Sequence, residues 1–212
     1  MYSIKKIKVN KLLFYSNREI DDFEFQKSFS VFLAGPTPRK QSVPSWRPDM
    51  IKELCNSGFK GNILLPEYKN EKSKRLEYDK QIKWEVDNLN RANVILFWIP
   101  RDMSTLPGLT TNIEFGEFMK TGKVVLGYPE NAEYVRYIGV RAQWLDIPTA
   151  NTMSEVAALV TNKEKLWLYA CPKCLGSGFK DSNGMSYRCG TCEGTGFLMP
   201  KKHKNKTQKS GN

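Results

Sequence analysis

From Ser30 onwards, short apolar runs alternate with longer amphipathic stretches. A short apolar run closed by turn residues is typical of a buried strand, and an apolar stripe at every third or fourth position is typical of a helix with one buried face. On this basis we predict strands at residues 31–35, 63–66, 94–99, 123–128 and 144–145. We predict helices at residues 45–56, 76–92, 111–121, 131–138 and 154–165.

The strict alternation of strands and helices predicts an α/β fold built on one parallel sheet. We expect a doubly wound, flavodoxin-like arrangement in which helices cover both faces of the sheet. Proteins of this architecture bind their ligands at the carboxyl ends of the strands. That rule selects three loops for a candidate site, at residues 35–47, 66–73 and 100–111.

Changes in composition divide the chain into four segments. Residues 1–29 are predicted to be an extended arm that forms a hairpin against the main sheet, and residues 30–166 are predicted to be the α/β domain. Residues 167–199 contain two cysteine pairs and are predicted to be a small metal-binding module. Residues 200–212 are predicted to be a disordered basic tail.

The chain of 212 residues carries a net charge of +11, and its last twelve residues contain five lysines and no acid. Such a tail either contacts nucleic acid or another polyanion, or it is a solvated end, and both alternatives stay open. No apolar run reaches the length of a membrane span, and the first residues lack the apolar core of a signal peptide. We therefore expect a cytoplasmic protein that does not bind a membrane.

Two of the three selected loops carry motifs. Residues 33–39 are LAGPTPR, residues 45–47 are SWR, and residues 107–116 are PGLTTNIEFG. A first strand that ends in LAGP, and a later helix in which a glutamate is followed by a hydrophobic residue and a glycine, resemble the nucleoside 2-deoxyribosyltransferase family. The resemblance extends over roughly residues 30–160.

The resemblance implies a reaction and a nucleophile. In this family the glutamate attacks the anomeric carbon of a deoxyribose, so Glu114 is the implied nucleophile. The base departs, a covalent deoxyribosyl-enzyme forms, and a second base or water then takes the sugar. The implied substrate is a 2'-deoxynucleoside or its 5'-phosphate, and transferase and hydrolase activity both stay open. Family members commonly oligomerise, which implies a homo-oligomer here as well.

The predicted helix places Glu114 in its first turn. There the helix dipole and the backbone N–H groups favour an ionised carboxylate, as a nucleophile requires. The spacing of Thr111 and Glu114 also matches a capping box, in which the glutamate only satisfies the end of the helix. The LAGP loop favours the nucleophile over the cap.

Two acids that many family members carry are replaced in this chain, by Gly108 and by Asn93. In the family those acids help to hold the sugar and to protonate the leaving base. Glu85 is the candidate proton donor in their place, because it lies at the edge of a buried helix face, where a carboxyl group has a raised pKa. Asp102 is the second candidate. The alternatives are an exposed helix glutamate and a turn-forming aspartate.

Other side chains of the same region are predicted to hold the substrate. Trp46 suits stacking on a nucleobase, and Asn112 suits orientation of the nucleophile or contact with the sugar. The three arginines indicate either a phosphorylated ligand or a solvated surface. The candidate substrate-binding residues are Gly35, Pro36, Arg39, Trp46, Arg47, Asn93, Arg101, Gly108 and Asn112.

Two copies of the motif CxxCxGxG begin at Cys171 and Cys189. Four thiolates in two such pairs suit one structural zinc ion, and we expect no organic cofactor. The motif resembles the cysteine-rich region of DnaJ chaperones. The module either stabilises the C-terminal segment or binds nucleic acid or protein. The predicted zinc ligands are Cys171, Cys174, Cys189 and Cys192.

Two further hypotheses stand beside the enzyme. The replaced acids favour a non-catalytic nucleotide-binding sensor. The cysteine pairs and the lysine-rich tail favour a nucleic-acid-binding zinc protein, in which the α/β domain is a scaffold.

Overall fold

The structure is a computed structural model of the chain, and it describes residues 13–16, 28–39, 42–68, 77–167, 179–182, 185–188 and 190–191. The chain divides into two compact units, Met1–Glu164 and Lys165–Asn212. Within the described residues, no helix is long and apolar enough to cross a membrane.

An all-parallel sheet forms the centre of the first unit. Its strands are β1 (Leu13–Tyr15), β2 (Ser30–Ala34), β3 (Asn62–Leu65), β4 (Val94–Trp98), β5 (Val124–Gly127) and β6 (Thr149–Ala150). Their order in the sheet is β1-β3-β2-β4-β5-β6. Without β1, this is the strand order of flavodoxin-like folds, so the predicted α/β class is confirmed for this unit.

Helices follow most of these strands along the chain. The described helices are α1 (Arg47–Asn56), α2 (Tyr78–Arg91), α3 (Leu109–Phe118), α4 (Arg136–Trp144) and α5 (Met153–Trp167). A proline stands in the first turn of α1, where its missing N–H group has no intrahelical partner to lose.

Both faces of the sheet are covered, as predicted. On one face, Phe32, Phe97 and Leu126 belong to a core cluster that includes residues of α2, α3 and α4. Because side chains alternate along a strand, the residues between them point to the other face. There α1 and α5 are neighbours, and the hydroxyls of Ser57, directly after α1, and Thr161 in α5 lie 2.6 Å apart. Every residue of β2 and β4 is buried, as expected for strands between two helical layers.

One prediction at the edges of the sheet was wrong, and another is tested only in part. Residues 13–15 of the predicted arm pair in parallel with β3, and residues 1–12 and 17–27, where the rest of the predicted hairpin falls, lie outside the described residues. The strand predicted at residues 144–145 does not form, because Trp144 is the last residue of α4. The chain then turns, with the Ile147 N–H donating to the Ala142 carbonyl, and the edge strand β6 follows.

All five described helices begin one to five residues from their predicted starts, and two of these differences coincide with a residue of positive φ. The helix predicted at residues 131–138 begins at Arg136, after Tyr134 has turned the chain with a φ of 51°. The helix predicted from residue 111 begins at Leu109, because Gly108 adopts a left-handed conformation at the N-cap. The second difference changes the surroundings of Glu114.

The described residues of the second unit include a hairpin. Strand β7 (Phe179–Ser182) pairs antiparallel with β8 (Met185–Arg188). The tail at residues 200–212 and the four cysteines predicted to bind zinc lie outside the described residues. Among the side chains that are described, no group of three or more His, Cys, Asp or Glu residues could hold a metal ion. Zinc therefore stays a prediction.

Candidate active site

A cavity of about 620 Å³ opens at the carboxyl ends of β2 and β3, between α2 and α3. This is the edge at which folds of this class bind ligands, and the volume suits a small molecule. The walls come from the loop after β2, from one side of α2 and from the first half of α3. The polar lining residues are Thr37, Arg39, Arg47, Tyr78, Gln81, Glu85, Thr110, Thr111, Glu114 and Glu117.

Two carboxyl groups with perturbed acidity line this cavity from opposite helices. Burial, together with the charge of Glu85, raises the pKa of Glu114 on α3 to about 7, and the charge of Arg47 opposes this rise. Burial also raises the pKa of Glu85 on α2, against a hydrogen bond from Gln81 and the charge of Arg47. Because burial and the charge of Glu85 disfavour ionisation of Glu114, Glu114 is partly protonated near neutral pH.

Glu114 does not cap a helix. Because α3 begins at Leu109, Glu114 lies in its second turn, and Thr111 is a buried residue inside the helix. The capping-box alternative is therefore wrong. The expectation that the helix end keeps Glu114 ionised is also wrong, since burial raises its pKa instead.

Gly108 allows α3 to start close to the loop after β2. Its φ is +57°, and a Cβ atom there would lie 3.0 Å from Cβ of Pro36 and 3.3 Å from Oγ1 of Thr111. A non-glycine residue in this conformation is strained and would also push the loop away. Gly108 thus contributes backbone shape to the cavity that it lines.

The Arg47 side chain is buried and donates four hydrogen bonds to other described residues. Its Nη1 donates to Oε1 of Glu67 over 2.7 Å and to the hydroxyl of Thr37, while Nε and Nη2 donate to the carbonyls of Leu33 and Gly35. Its side chain is 1% exposed. These contacts hold the end of β2 in place, and the charge of Arg47 favours the ionised forms of Glu85 and Glu114. Since the guanidinium is paired with protein groups, its role is structural rather than phosphate binding.

Trp46 has a structural position. Its side chain is buried, and its indole N–H donates to the Pro36 carbonyl over 2.9 Å. The Arg47 guanidinium lies 4.7 Å from the centre of the same indole. Trp46 is not among the residues that line the cavity, so the predicted stacking on a nucleobase is not supported by its placement.

Arg101 and Asn112 interact with each other away from the cavity. The buried Arg101 guanidinium donates to Oδ1 of Asn112 and to the Tyr134 carbonyl. This contact ties the loop after β4 to α3 and to the segment before α4. Neither side chain lines the cavity, although both were predicted to bind substrate.

Asp102 forms a turn on the surface. Its Oδ1 accepts hydrogen bonds from the backbone N–H groups of Ser104 and Thr105 and from the Ser104 hydroxyl, and these bonds hold its pKa below the usual value. A carboxylate that is exposed and ionised at this place is the turn-forming alternative rather than a proton donor.

Asn93 lies at the opposite edge of the sheet. It directly precedes β4, so it stands at the amino end of that strand, where its Oδ1 accepts hydrogen bonds from the backbone and hydroxyl of Ser30. The structure therefore does not bring Asn93 to the cavity. The predicted residues that it does bring together are Gly35, Pro36, Arg39, Arg47, Glu85, Gly108 and Glu114.

Several residues around the two carboxyls were not found from the sequence. Gln81 donates from Nε2 to Oε1 of Glu85 over 3.0 Å, and the Tyr68 hydroxyl donates to Oε1 of Gln81 over 2.7 Å. Glu117 lines the cavity one turn after Glu114. The spacing of four residues between Gln81 and Glu85 was the available signal, because such pairs are neighbours on a helix. No local pattern indicates Tyr68.

A second depression, of about 650 Å³, lies beside α4. It is slightly larger, but its lining residues include a single carboxylate, Asp146. It lacks the paired carboxyl groups with raised pKa, and we assign the chemistry to the cavity between α2 and α3.

The chain is similar to a known family and to a solved structure. Residues 28–132 match the family model described as "Nucleoside 2-deoxyribosyltransferase like". The matched segment includes both Glu85 and Glu114. No curated protein matches the chain. A solved structure described as a conserved protein from Enterococcus faecalis V583 is similar at 13% identity, with a TM-score of 0.45, over 66% of this chain and 99% of that one.

Proposed function

We propose that this protein cleaves the N-glycosidic bond of a 2'-deoxynucleoside through a covalent intermediate on Glu114. The observation that carries the proposal is the pair of carboxyl groups with raised pKa, on facing helices of one cavity, within the segment that matches the family model. Double displacement at a sugar carbon needs one carboxylate as nucleophile and one carboxylic acid as proton donor.

The reactive form of the pair is the one in which Glu114 is ionised and Glu85 carries the proton, although the pKa of Glu114 is raised to about 7. In the first step, Glu114 in this form attacks C1' of the sugar. A bond forms between its oxygen and C1', the C1'–N bond breaks, and the electron pair leaves with the base. Glu85 gives its proton to that base and becomes a carboxylate. The buried charge of Arg47 favours the ionised form of both carboxyl groups, and it is present throughout.

In the second step, a second base or a water molecule attacks C1' from the side that the first base has left. The bond between C1' and the Glu114 oxygen breaks, and its electron pair restores the Glu114 carboxylate. The incoming nitrogen or oxygen gives its proton to Glu85, which returns to the acid form. Both outcomes use the same intermediate, so the acceptor decides between transfer and hydrolysis.

The mouth of the cavity suits a nucleobase. Tyr78, Ile82 and Val86 are successive exposed residues along one side of α2, and Leu109 and Ile113 are exposed on α3 across the cavity. Apolar groups on both sides can enclose the flat faces of a base and remove water from the carboxyl pair.

The charges of the cavity favour an uncharged nucleoside over a nucleotide. Arg47 is paired with Glu67, and Arg101 does not line the cavity. Arg39 is the remaining one of the three arginines predicted as phosphate ligands; it lines the cavity and is exposed. A phosphate group would meet the lining carboxylates at unfavourable cost. We therefore expect 2'-deoxynucleosides to react faster than their 5'-monophosphates.

The test is release of free base from each 2'-deoxynucleoside and each 5'-monophosphate, with and without an acceptor base. Glu114→Ala should lower kcat/KM on the order of 10³-fold or more, because it removes the nucleophile. Glu130→Ala, which changes an exposed glutamate outside the cavity, is the matched control. A new nucleoside in the presence of acceptor would identify a transferase.

The same assay contains the result that would overturn the proposal. A folded protein that releases no base from any of these compounds, or that releases base equally well as Glu114→Ala, does not use this mechanism. Binding of a nucleoside or nucleotide by calorimetry without turnover would then favour the non-catalytic nucleotide sensor.

A further inference from the structure

Glu85 is held by a chain of hydrogen bonds that the reaction described above does not explain. The Tyr68 hydroxyl, beyond the end of β3, donates to Oε1 of Gln81, and Nε2 of Gln81 donates to Oε1 of Glu85. The two distances are 2.7 and 3.0 Å. We infer that Tyr68 and Gln81 are positioning residues that orient Glu85 as the proton donor to the leaving base. This inference rests on the proposed function.

Tyr68 and Glu85 are the two described partners that hold the Gln81 amide in its orientation. An amide presents an oxygen on one side and an NH2 group on the other, and either could face Glu85. Because the Tyr68 hydroxyl donates to the amide oxygen, the NH2 group is directed to Glu85. Without that hydroxyl, the amide is free to turn and accept the proton of Glu85 instead of donating to it.

Gln81 in turn decides which oxygen of Glu85 carries the proton. A neutral carboxyl group accepts a hydrogen bond best at its carbonyl oxygen. Since Oε1 accepts from Gln81, the proton of the acid form resides on Oε2. Proton transfer breaks the Oε2–H bond, forms an N–H bond on the base, and leaves a carboxylate that keeps the hydrogen bond from Gln81.

The hydrogen bond also limits how weak an acid Glu85 becomes. Burial raises the pKa of Glu85, and the bond from Gln81 lowers it. Loss of the bond should therefore raise the pKa and make Glu85 a weaker donor. Five other titratable or charged side chains among the described residues line the same cavity as Glu85. They are Arg39 in the loop before α1, Arg47 at the start of α1, Tyr78 on α2, and Glu114 and Glu117 on α3. Neither Tyr68→Phe nor Gln81→Leu removes any of these groups.

The experiment compares two substrates that differ in their need for a proton. The base of 2'-deoxyguanosine must be protonated to leave easily, whereas that of 7-methyl-2'-deoxyguanosine is already cationic and leaves as a neutral molecule. We expect Tyr68→Phe and Gln81→Leu to lower kcat on 2'-deoxyguanosine by about tenfold or more, within the range of general acid catalysis. On the methylated substrate we expect a change of less than about twofold, because no proton is required.

A second readout is the pH profile of kcat/KM on the natural 2'-deoxynucleoside that reacts fastest, whichever base it carries. In both variants the alkaline limb should move to higher pH, because Glu85 and Glu114 titrate as a coupled pair and a higher pKa of Glu85 raises the pH at which the pair loses its last proton. A purely structural role of Tyr68 or Gln81 would lower the rate without moving this limb.

Matched controls make the same chemical changes outside the cavity. Tyr134→Phe and Gln143→Leu alter exposed side chains near and in α4, and neither should change the ratio of the two rates. The inference would be overturned if the Tyr68 and Gln81 variants lost kcat equally on both substrates. It would also be overturned if kcat and the alkaline limb of the pH profile stayed unchanged. Failure of the proposed function looks different, because then the wild-type protein releases no base or Glu114→Ala remains active.

Discussion

Burial has opposite consequences for the two charged residues that matter most in the cavity. Arg47 is buried with its hydrogen bonds satisfied and an ion-pair partner 2.7 Å away, so its charge is compensated. The described contacts include no hydrogen bond or ion pair of the Glu114 side chain, and burial raises its pKa to about 7. A buried charge is stable where it is paired and costly where it is not. The stability of the protein should therefore respond in opposite ways to removal of these charges.

Replacement of Glu114 by Gln should stabilise the protein at alkaline pH. The pKa of Glu114 is about 7 in the folded chain, above the 4.5 of an unperturbed glutamate. The unfolded state therefore loses this proton first, and the folded state loses stability as the pH rises from about 4.5 through about 7. Above that window, Glu114→Gln should raise the free energy of unfolding by about 1–3 kcal/mol, and below it by nothing.

Urea denaturation at pH 4.5 and pH 8.5 measures this effect. Glu130→Gln, which changes an exposed carboxylate, should give the wild-type difference between the two pH values. If the free energy of unfolding changed equally with pH in Glu114→Gln and in the wild-type protein, burial would not raise the pKa of Glu114.

Replacement of Arg47 by Met should destabilise the protein strongly. The change leaves the carboxylate of Glu67 without its ion pair and removes the donors to the carbonyls of Leu33 and Gly35. Breaking a buried pair from one side costs about 3–5 kcal/mol. Arg39→Met is the control, because Arg39 lines the same cavity but is exposed, and its cost should stay within about 0.5 kcal/mol.

Urea denaturation at one pH separates these variants. If Arg47→Met lost no more stability than Arg39→Met, the guanidinium would be a ligand-binding group rather than a structural one.

At the scale of elements, the beginning of α3 determines the shape of the cavity. The sequence pattern predicted that this helix starts two residues later, with a polar cap and Glu114 in the first turn. The left-handed conformation of Gly108 adds a half turn and moves Glu114 to the second turn, beneath the mouth of the cavity. Local pattern did not show this, because the close approach of Gly108 to Pro36, which is distant in sequence, is a tertiary contact.

Two glycines of this region should respond oppositely to replacement by Ala. Gly108→Ala introduces a Cβ at 3.0 Å from Pro36 in a left-handed conformation, which costs about 1–2 kcal/mol for the conformation alone and should raise KM. Gly116 is a residue of α3 whose Cβ would contact nothing within 4 Å. Gly116→Ala should stabilise the protein by about 0.5–1 kcal/mol.

Thermal unfolding and base-release kinetics of both variants test this. Equal stability of the two variants would show that the start of α3 does not require a glycine at position 108.

At the scale of the whole molecule, the cysteine-rich segment contributes no described residue to the lining of the cavity. The hairpin pairs Phe179 with Arg188, so the chain enters β7 and leaves β8 at the same end. The two cysteine pairs precede β7 and follow β8 in the sequence. We propose that they bind one structural zinc ion, since four thiolates in two CxxC pairs suit a closed tetrahedral site.

Metal analysis of the purified chain should therefore find about one zinc per molecule. The double variant Cys171→Ser/Cys174→Ser should lose it, whereas Cys55→Ser, in α1, should retain it. Chelation should abolish protection of the C-terminal segment from proteolysis, because zinc binding and folding of such modules are coupled. Zinc retained by the double variant would exclude these cysteines as ligands.

The sequence by itself determined the α/β class, the approximate positions of most strands and helices, and the candidacy of Glu85, Glu114 and the loop after β2. These features follow from periodicity and short motifs, which are local properties of the chain. Only the tertiary structure decided that Glu85 and Glu114 share a cavity, that Arg47 and Trp46 hold the loop, and that Arg101, Asn93 and Asp102 lie elsewhere. Burial and hydrogen-bond partners come from residues that are remote in sequence, and they set the acidity and direction of each side chain.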